Sequence, residues 1–378
     1  MKEKIFYIGF NANNAICNES FFEGSITLYP TGEKGNMFYS NKLIDDVTSS
    51  CFMKKYKKFI CDTVKIIKSK NKNVKFMCFN EKIRKLCCDI KDIKFIFNNN
   101  LELINFLNNK IEIRKSFENL VPTLKYKYCL IEELNYEQLS NELGTNKFVV
   151  QGEKGAGGNT TYLVNSEEDL STIKKENVNG RYSISKYIKH LPINITLIIG
   201  NKNIIYFPIS IQLILLIDKK FKYVGGDYAY EKFLSNGVKN KIYKYSKIIG
   251  EKIKMLGYKG ILGIDFLLTE EKQIVFMEVN PRFQASSFLL SNELEKKCGT
   301  NLAKMHYLAV CNKKIKNVKL SDINKSFVNC NNQNKFTNLK NYIVIKNGYF
   351  KVNVSSIYRK VYNRSIFNEC DFEKISEN

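Results

Sequence analysis

The most informative polar residues stand two apart in an apolar stretch. Glu278, Asn280 and Arg282 follow one another in this way, and Asp265 lies in the apolar run just upstream. Residues two apart on a strand project to the same face, so a hairpin would gather all four side chains around one point. Magnesium takes oxygen ligands from carboxylates and substrate phosphates, and arginine binds phosphate or carboxylate through paired hydrogen bonds. The pattern predicts a metal and phosphate site, and the alternative is a hairpin whose polar face is merely solvated.

A second signal is a glycine-rich segment between two apolar runs. It reads Gln151-Gly152-Glu153-Lys154-Gly155-Ala156-Gly157-Gly158-Asn159-Thr160. Glycines allow backbone N–H groups to approach phosphate oxygens closely. The segment lacks the Gly-Lys-Ser/Thr ending of a Walker loop, and no helical pattern follows it. We therefore predict a flexible flap between two strands that covers a triphosphate, although the segment alone fits a mobile surface hairpin as well.

Taken in chain order, four features resemble the ATP-grasp enzymes. They are Lys110 near a helix start, the glycine flap, the segment Ser185-Lys186-Tyr187-Ile188, and the hairpin with Glu278-x-Asn280-x-Arg282. The resemblance spans about residues 1–312. It implies a ligase that uses ATP to convert a carboxylate into an acyl phosphate. An amine then attacks the acyl phosphate, which gives an amide or peptide bond and releases ADP and phosphate.

The resemblance also implies roles for single residues. Asp265, Glu278 and Asn280 correspond to the ligands of Mg2+ or Mn2+. Arg282 corresponds to the arginine that stabilises the acyl phosphate or holds the acidic substrate. The residues that correspond to ATP contacts are Lys110, Gln151, Lys154, Gly155, Gly157, Gly158, Lys186, Tyr187 and Ile188.

Two positions differ from the family pattern, and two more are candidates for substrate contacts. Gln151 stands where the family usually has a lysine, and Lys154 in the flap can compensate for the missing charge. Ser185 replaces an acid that often precedes the adenine segment. Gln212 lies where the family often has a substrate-side polar residue, and Asp227 follows two glycines in a loop. A surface acid in a glycine turn explains Asp227 equally well.

The expected partners are small-molecule or peptide substrates, one with a carboxylate and the other with an amine. The competing interpretation is a non-catalytic protein that binds ATP or nucleic acid. The formal net charge of +23 is typical of a nucleic-acid binder. However, the basic residues are mostly lysines spread along the chain, without a zinc-finger or RNA-recognition motif. We favour a solvated lysine coat and expect no nucleic-acid partner.

The sequence predicts an α/β and α+β fold that positions these residues. Near the start, strand-like Lys4–Phe10 and Asn73–Phe79 flank the helical pattern of Ser50–Lys70, which predicts a parallel α/β domain. Two consecutive helices are expected over Leu101–Glu118, with a break near Asn108-Asn109. Further elements are a helix at Ile242–Leu256, a helix at Asn301–Cys311, and a hairpin of Gly260–Leu268 with Gln273–Val279.

The resemblance divides the chain into three parts. A Rossmann-like pre-ATP-grasp domain is expected over residues 1–105, and a two-lobed ATP-grasp domain over 106–312. The small nucleotide lobe would cover about 120–187, and the large lobe about 188–312. A β-rich extension is expected at 313–378.

Composition excludes several other classes. Eleven cysteines without a Cys-x-x-Cys pair, together with two histidines, offer no zinc-site spacing, so we expect reduced thiols. The longest apolar stretch, Ile204–Ile217, contains Pro208 and Gln212 and is too short to cross a bilayer. No signal-peptide pattern is visible at the N-terminus. We therefore expect a cytoplasmic protein without a membrane partner.

Overall fold

A computed structural model gives the fold. It describes residues 3–9, 20–27, 36–39, 51–79, 81–88, 90, 95–96, 99–155, 157–176, 180–217, 219–321, 323, 326–329, 342–344, 349–353, 356–360 and 372–377. Within these ranges, no helix combines the length and the apolar character needed to span a membrane.

The first part of the chain contains a four-stranded parallel sheet. Its strand order is β3-β2-β1-β4, with β1 (Lys4–Gly9), β2 (Gly24–Thr27), β3 (Asn36–Tyr39) and β4 (Val74–Met77). Helix α1 (Phe52–Lys70) buries Tyr56, Ile60 and Val64, which are four residues apart, in the core beneath the sheet. Helix α2 (Glu81–Cys87) follows β4. The alternation of apolar runs and amphipathic stretches thus corresponds to a parallel α/β arrangement.

Two short helices come next, and they separate at the predicted position. Helix α3 (Leu101–Asn108) ends and α4 (Lys110–Phe117) begins on either side of Asn109. The side chain of Asn109 accepts a hydrogen bond from the N–H of Ile111 at 3.0 Å, which caps α4. Lys110 is therefore the first residue of α4, at the helix end where backbone N–H groups have no partner within the helix.

The main sheet carries the predicted site elements. Nine of its strands follow the order β13-β12-β9-β10-β11-β7-β6-β8-β5. These strands are β5 (Lys127–Leu130), β6 (Phe148–Gly152), β7 (Thr161–Val164), β8 (Arg181–Lys186), β9 (His190–Ile199), β10 (Ile204–Ile217), β11 (Lys220–Asp227), β12 (Gly260–Thr269) and β13 (Ile274–Asn280). The glycine flap connects β6 to β7, and β12 with β13 form the predicted hairpin.

The sheet has two halves, each with its own apolar core. Strands β5 to β8 pack with α5 (Tyr136–Leu143) and α6 (Glu167–Glu176), whereas β9 to β13 pack with α3, α4 and helices later in the chain. The halves join where Lys220 of β11 pairs with Tyr162 of β7. Beside this pair, the N–H of Leu163 donates to the carbonyl oxygen of Lys219 at 2.8 Å.

Among the described residues, one α-helix lies between β11 and β12 and two follow β13, and the sequence pattern missed one of these three. Helix α7 (Asn236–Met255) starts earlier than predicted because the Ser235 hydroxyl caps it. Helix α8 (Ser287–Cys298) was not predicted; it buries Ser291 and Glu293 as well as leucines, so it lacks a clear polar face. The last is α9 (Leu302–Val310).

The C-terminal part is represented by short strands. Strands β14 (Ser326–Asn329) and β15 (Tyr342–Val344) extend the main sheet from β11. A separate antiparallel sheet consists of β16 (Tyr349–Asn353), β17 (Ser356–Lys360) and β18 (Phe372–Glu377). The β-rich segment predicted around residues 339–354 lies partly outside the described residues.

His306 of α9 makes the stability of the fold depend on pH. Its imidazole packs edge-on against Phe79 and Phe283, and its Nδ1 accepts from the N–H of Ile261 at 3.0 Å. Burial lowers the pKa of His306 to about 4. The neutral ring is therefore favoured in the folded state, whereas the unfolded chain binds a proton near pH 6.5.

Stability from His306 should be complete above pH 6.5 and should fall as the pH drops toward 4. Between pH 7.5 and 5, the free energy of unfolding from this residue should decrease by about 2 kcal/mol. Urea unfolding of the wild type and of His306→Asn at both pH values measures this loss as the difference between the two proteins. Asparagine keeps an acceptor for Ile261 without titrating. Equal pH dependence in both proteins would exclude His306 as the cause.

Candidate functional site

The β12–β13 hairpin gathers the four polar residues that sequence spacing brings to one face. Asp265 is directly opposite Glu278 in the strand register. The amide nitrogen of Asn280 donates to Asp265 Oδ2 at 2.9 Å and lies 3.5 Å from Glu278 Oε1. Arg282 donates from Nη2 to the amide oxygen of Asn280 at 3.0 Å. The hairpin thus holds two carboxylates, one amide and one guanidinium in a single hydrogen-bonded group.

The two carboxylates have different electrostatic environments. Burial and the neighbouring charge of Glu278 raise the pKa of Asp265 to about 7. Burial also acts to raise the pKa of Glu278, but the Lys110 ammonium and the nearby Arg114 and Arg282 guanidinium groups hold it below its ordinary value. Glu278 is therefore the ionised carboxylate of the pair. A further cation nearby would stabilise the ionised form of Asp265.

Lys110 connects the start of α4 to this carboxylate pair. Its ammonium group forms a salt bridge with Glu278 Oε2, and both side chains are largely buried. Its backbone N–H donates to the carbonyl oxygen of Glu153, at the start of the flap, at 2.9 Å. Lys110 therefore links the start of α4 to both the hairpin and the flap.

Arg114, one helical turn after Lys110, is a site residue that the sequence reasoning missed. It is 1% exposed and donates to the carbonyl oxygen of Met277 at 2.7 Å and to Ser183 Oγ at 2.9 Å. Its third contact is to Gln151 Oε1 at 2.5 Å. Arg114 thus places a positive charge directly behind Gln151, the position where the family pattern has a lysine. Its i, i+4 spacing from Lys110 was the available signal.

A cavity of about 440 Å3 lies between the two halves of the sheet. Its lining combines the carboxylates Asp265 and Glu278 with apolar side chains such as Val149, Ile188 and Phe266. Of the predicted ATP contacts, the cavity is lined by Lys110, Gln151, Gly157, Gly158, Lys186, Tyr187 and Ile188. A cavity with both apolar and polar lining suits a nucleotide, which has a flat base and a polyanionic phosphate chain.

The flap also borders a second cavity of about 880 Å3, on the other side of the hairpin end. Lys154 and Gly155 line this second cavity rather than the first. Lys154 therefore borders the hairpin end from the second cavity, and its compensation for the missing charge at Gln151 stays a prediction. Gly155 has φ +148°, and an added Cβ atom would lie 2.3 Å from Thr160 Oγ1, so the flap requires glycine there. Ala156 is outside the described residues.

The two candidate substrate residues are placed differently. Gln212 lines the first cavity, and its side chain hydrogen-bonds Asp265. Asp227 is fully buried and is not among the residues that line the two cavities. Gln212 pairs in register with Gly226, and successive residues of a strand face opposite sides. Asp227 therefore points away from the cavity that Gln212 faces.

The donor atoms near Asp265 suit a divalent cation that also contacts phosphate. Within the described residues, no three His, Cys, Asp or Glu side chains converge on their own. Two carboxylates with an amide fit magnesium, which commonly takes its other ligands from water and phosphate. Asn194 adds a buried amide oxygen that has no hydrogen-bond partner among the residues that the structure describes, while its Nδ2 donates to Asp265 at 2.6 Å. Asn280 would have to turn its amide group over to offer oxygen.

Comparison with known proteins supports the resemblance to the ATP-grasp enzymes. Residues 107–286 match the family model of the ATP-grasp domain. The chain therefore contains an ATP-grasp domain, and the resemblance based on the flap and the hairpin is confirmed. A search of curated proteins found no match.

Solved structures with the same fold are distant in sequence. Biotin carboxylase from Campylobacter jejuni, in a β,γ-ATP complex, has a TM-score of 0.64 at 15% identity, with 86% of this chain and 75% of that chain covered. N5-carboxyaminoimidazole synthetase from Staphylococcus aureus, complexed with ADP, has a TM-score of 0.56 at 15% identity, with 87% and 82% covered. The Aspergillus clavatus synthase, with ADP and 5-aminoimidazole ribonucleotide, has a TM-score of 0.57 at 12% identity, with 87% and 82% covered. These similarities establish the fold alone.

Proposed function

We propose that the protein is an ATP-dependent carboxylate–amine ligase. The observation that carries the proposal is the hydrogen-bonded group of Asp265, Glu278, Asn280 and Arg282, of which the last three line both cavities. A nucleotide in the first cavity and a carboxylate in the second would both reach this group. Solved structures of the same fold contain ADP or ATP, which supports a nucleotide in the first cavity.

Different residues of the two cavities would bind the nucleotide, the metal ion and the substrate. The segment Ser185 to Ile188 would hold the adenine, and the flap glycines with Lys110 and Gln151 would contact the phosphates. Asp265 and Glu278, with Asn280, would hold Mg2+ or Mn2+, which neutralises phosphate charge when bound. Arg282 borders both cavities and offers a fork for the reacting carboxylate or the transferred phosphoryl group.

The proposed reaction has two displacements. A carboxylate oxygen of the substrate attacks the γ-phosphorus, and the bond from that phosphorus to the bridging oxygen of ADP breaks. The amine nitrogen then attacks the acyl carbon, the bond to the phosphate oxygen breaks, and the nitrogen loses a proton. Such transfers depend on positioning and charge neutralisation more than on a protein nucleophile. Burial of the carboxylate group also limits hydrolysis of the acyl phosphate by water.

The proposal is tested by ADP and phosphate release from Mg-ATP with pooled carboxylic acids and amino acids. Hydroxylamine as the amine would trap an acyl phosphate as a hydroxamate. Release that requires one pool and is lost in Asp265→Asn supports the ligase. Tight Mg-ATP binding without release in any pool, together with polyanion binding, would favour the non-catalytic binding protein. Absence of ATP binding would refute the ligase.

A further inference from the structure

The second cavity is strongly basic, although it lies beside the carboxylate group. Its described lining includes six basic side chains and two acidic ones. The basic residues are Lys82, Arg84, Lys85, Lys110, Lys154 and Arg282. The acids are Glu81 and Glu278, and each already forms an ion pair with a lysine of the same cavity. Among the described lining residues, positively charged side chains therefore outnumber negatively charged ones.

Half of the basic residues come from one short helix, α2. Ile83 and Cys87 anchor α2 by facing the core of the parallel sheet, where they are 0% and 1% exposed. Leu86 also packs against this core, whereas Arg84 and Lys85 are on the same side of the helix as Glu81. Glu81, Arg84 and Lys85 border the cavity together with the end of the hairpin.

The position of α2 relative to Arg282 is fixed by direct contacts. Phe79, two residues before α2, stacks on Phe283 with ring centroids 3.6 Å apart. Glu81 of α2 accepts a hydrogen bond from Asn108 Nδ2 of α3 at 3.1 Å. Because Phe283 directly follows Arg282, these contacts fix the position of α2 relative to Arg282, and both border the same cavity.

We infer that the second cavity binds a substrate with two anionic ends. This inference rests on the proposed function. One end is the carboxylate that reacts near Arg282, and the other is an oxyanion that Lys82 and Arg84 hold at α2. Phosphate and carboxylate share this chemistry, and arginine binds both through paired hydrogen bonds. The volume of about 880 Å3 is that of a site for a molecule larger than the reacting carboxylate.

The test measures binding in the presence of Mg2+ and a non-hydrolysable ATP analogue. The probes are ω-phosphono carboxylic acids, α,ω-dicarboxylic acids and monocarboxylic acids of matched chain length, titrated by calorimetry. We expect the dianions to bind more tightly than the monoacids. The preferred dianion distinguishes a phosphate end from a carboxylate end. Equal affinity for dianions and monoacids of every length, or no binding of the dianions, would overturn the inference.

Substitutions in α2 test whether this helix binds the second anionic end of the substrate. Lys82→Gln with Arg84→Gln should weaken dianion binding about tenfold or more and leave monoacid binding unchanged. Arg84→Lys should retain most of the affinity because it keeps the charge. The control is Lys244→Gln with Lys247→Gln, which removes the same charge from the exposed side of α7. Equal weakening in both double variants would indicate a general charge effect and would overturn the site.

Nucleotide binding separates failure of this inference from failure of the proposed function. The ATP analogue is titrated into the wild type and into each variant. Normal nucleotide binding without selectivity for dianions overturns the inference and leaves the ligase proposal standing. If the wild type did not bind the ATP analogue, both this inference and the ligase proposal would be overturned. Unfolding curves of the α2 variants confirm that the fold is intact.

Discussion

Glu278→Gln is expected to lower ATP turnover about a hundred- to thousandfold. The substitution removes the ionised carboxylate at the junction of the two cavities, and it leaves the buried Lys110 ammonium without its partner. Mg2+ should then no longer strengthen binding of a non-hydrolysable ATP analogue. ADP release and calorimetric titration of the analogue at several Mg2+ concentrations measure both effects.

A matched substitution controls for the loss of one charge. Glu142 forms an exposed ion pair with Lys127 at 2.5 Å, so Glu142→Gln removes an equivalent carboxylate far from the hairpin. Exposed pairs contribute little to stability, and turnover should be unchanged. Circular dichroism confirms that both variants are folded. Wild-type turnover and metal dependence in Glu278→Gln would remove this residue from the proposed metal site.

Arg114→Met should reduce the free energy of unfolding by about 3 to 5 kcal/mol. The guanidinium group has three buried acceptors, on Met277, Ser183 and Gln151, and it lies over the Tyr126 ring at 4.4 Å. Methionine fills most of the volume but leaves these acceptors without a donor. Urea unfolding at neutral pH measures the loss.

Two further variants test whether the planar fork of Arg114 matters. Arg114→Lys keeps the charge but cannot reach all three acceptors at once, so it should also be destabilised. Arg181→Met removes an exposed arginine whose ion pair with Glu112 spans 3.3 Å, and it should change stability very little. If Arg114→Lys were as stable as the wild type, the charge rather than the hydrogen bonds would be the important property.

Local patterns were sufficient to predict the hairpin. A period of two placed Glu278, Asn280 and Arg282 on one face, and the structure brings them to Asp265 through the strand register. The break between α3 and α4 was also readable, because Asn109 is a strong N-cap. These features depend on residues that are neighbours along the chain or on adjacent strands.

Contacts between distant segments were not predictable from the same patterns. Arg114 contacts residues 37, 69 and 163 positions away, and its spacing from Lys110 does not indicate which distant residues it contacts. The second cavity likewise exists because Phe79 stacks on Phe283, far along the chain. Asp227 followed a plausible glycine turn, but the pairing of β10 with β11 decided which way it faces. Single-sequence reasoning does not supply such pairings.

Several contacts join the two halves of the main sheet within the described residues. They include the pairing of Lys220 with Tyr162 and the hydrogen bonds of Arg114, which joins Ser183 of one half to Met277 of the other. Each of these contacts links single residues, whereas each half contains a continuous apolar core of its own. A small rotation of one half relative to the other would therefore change the width of the first cavity without repacking either core.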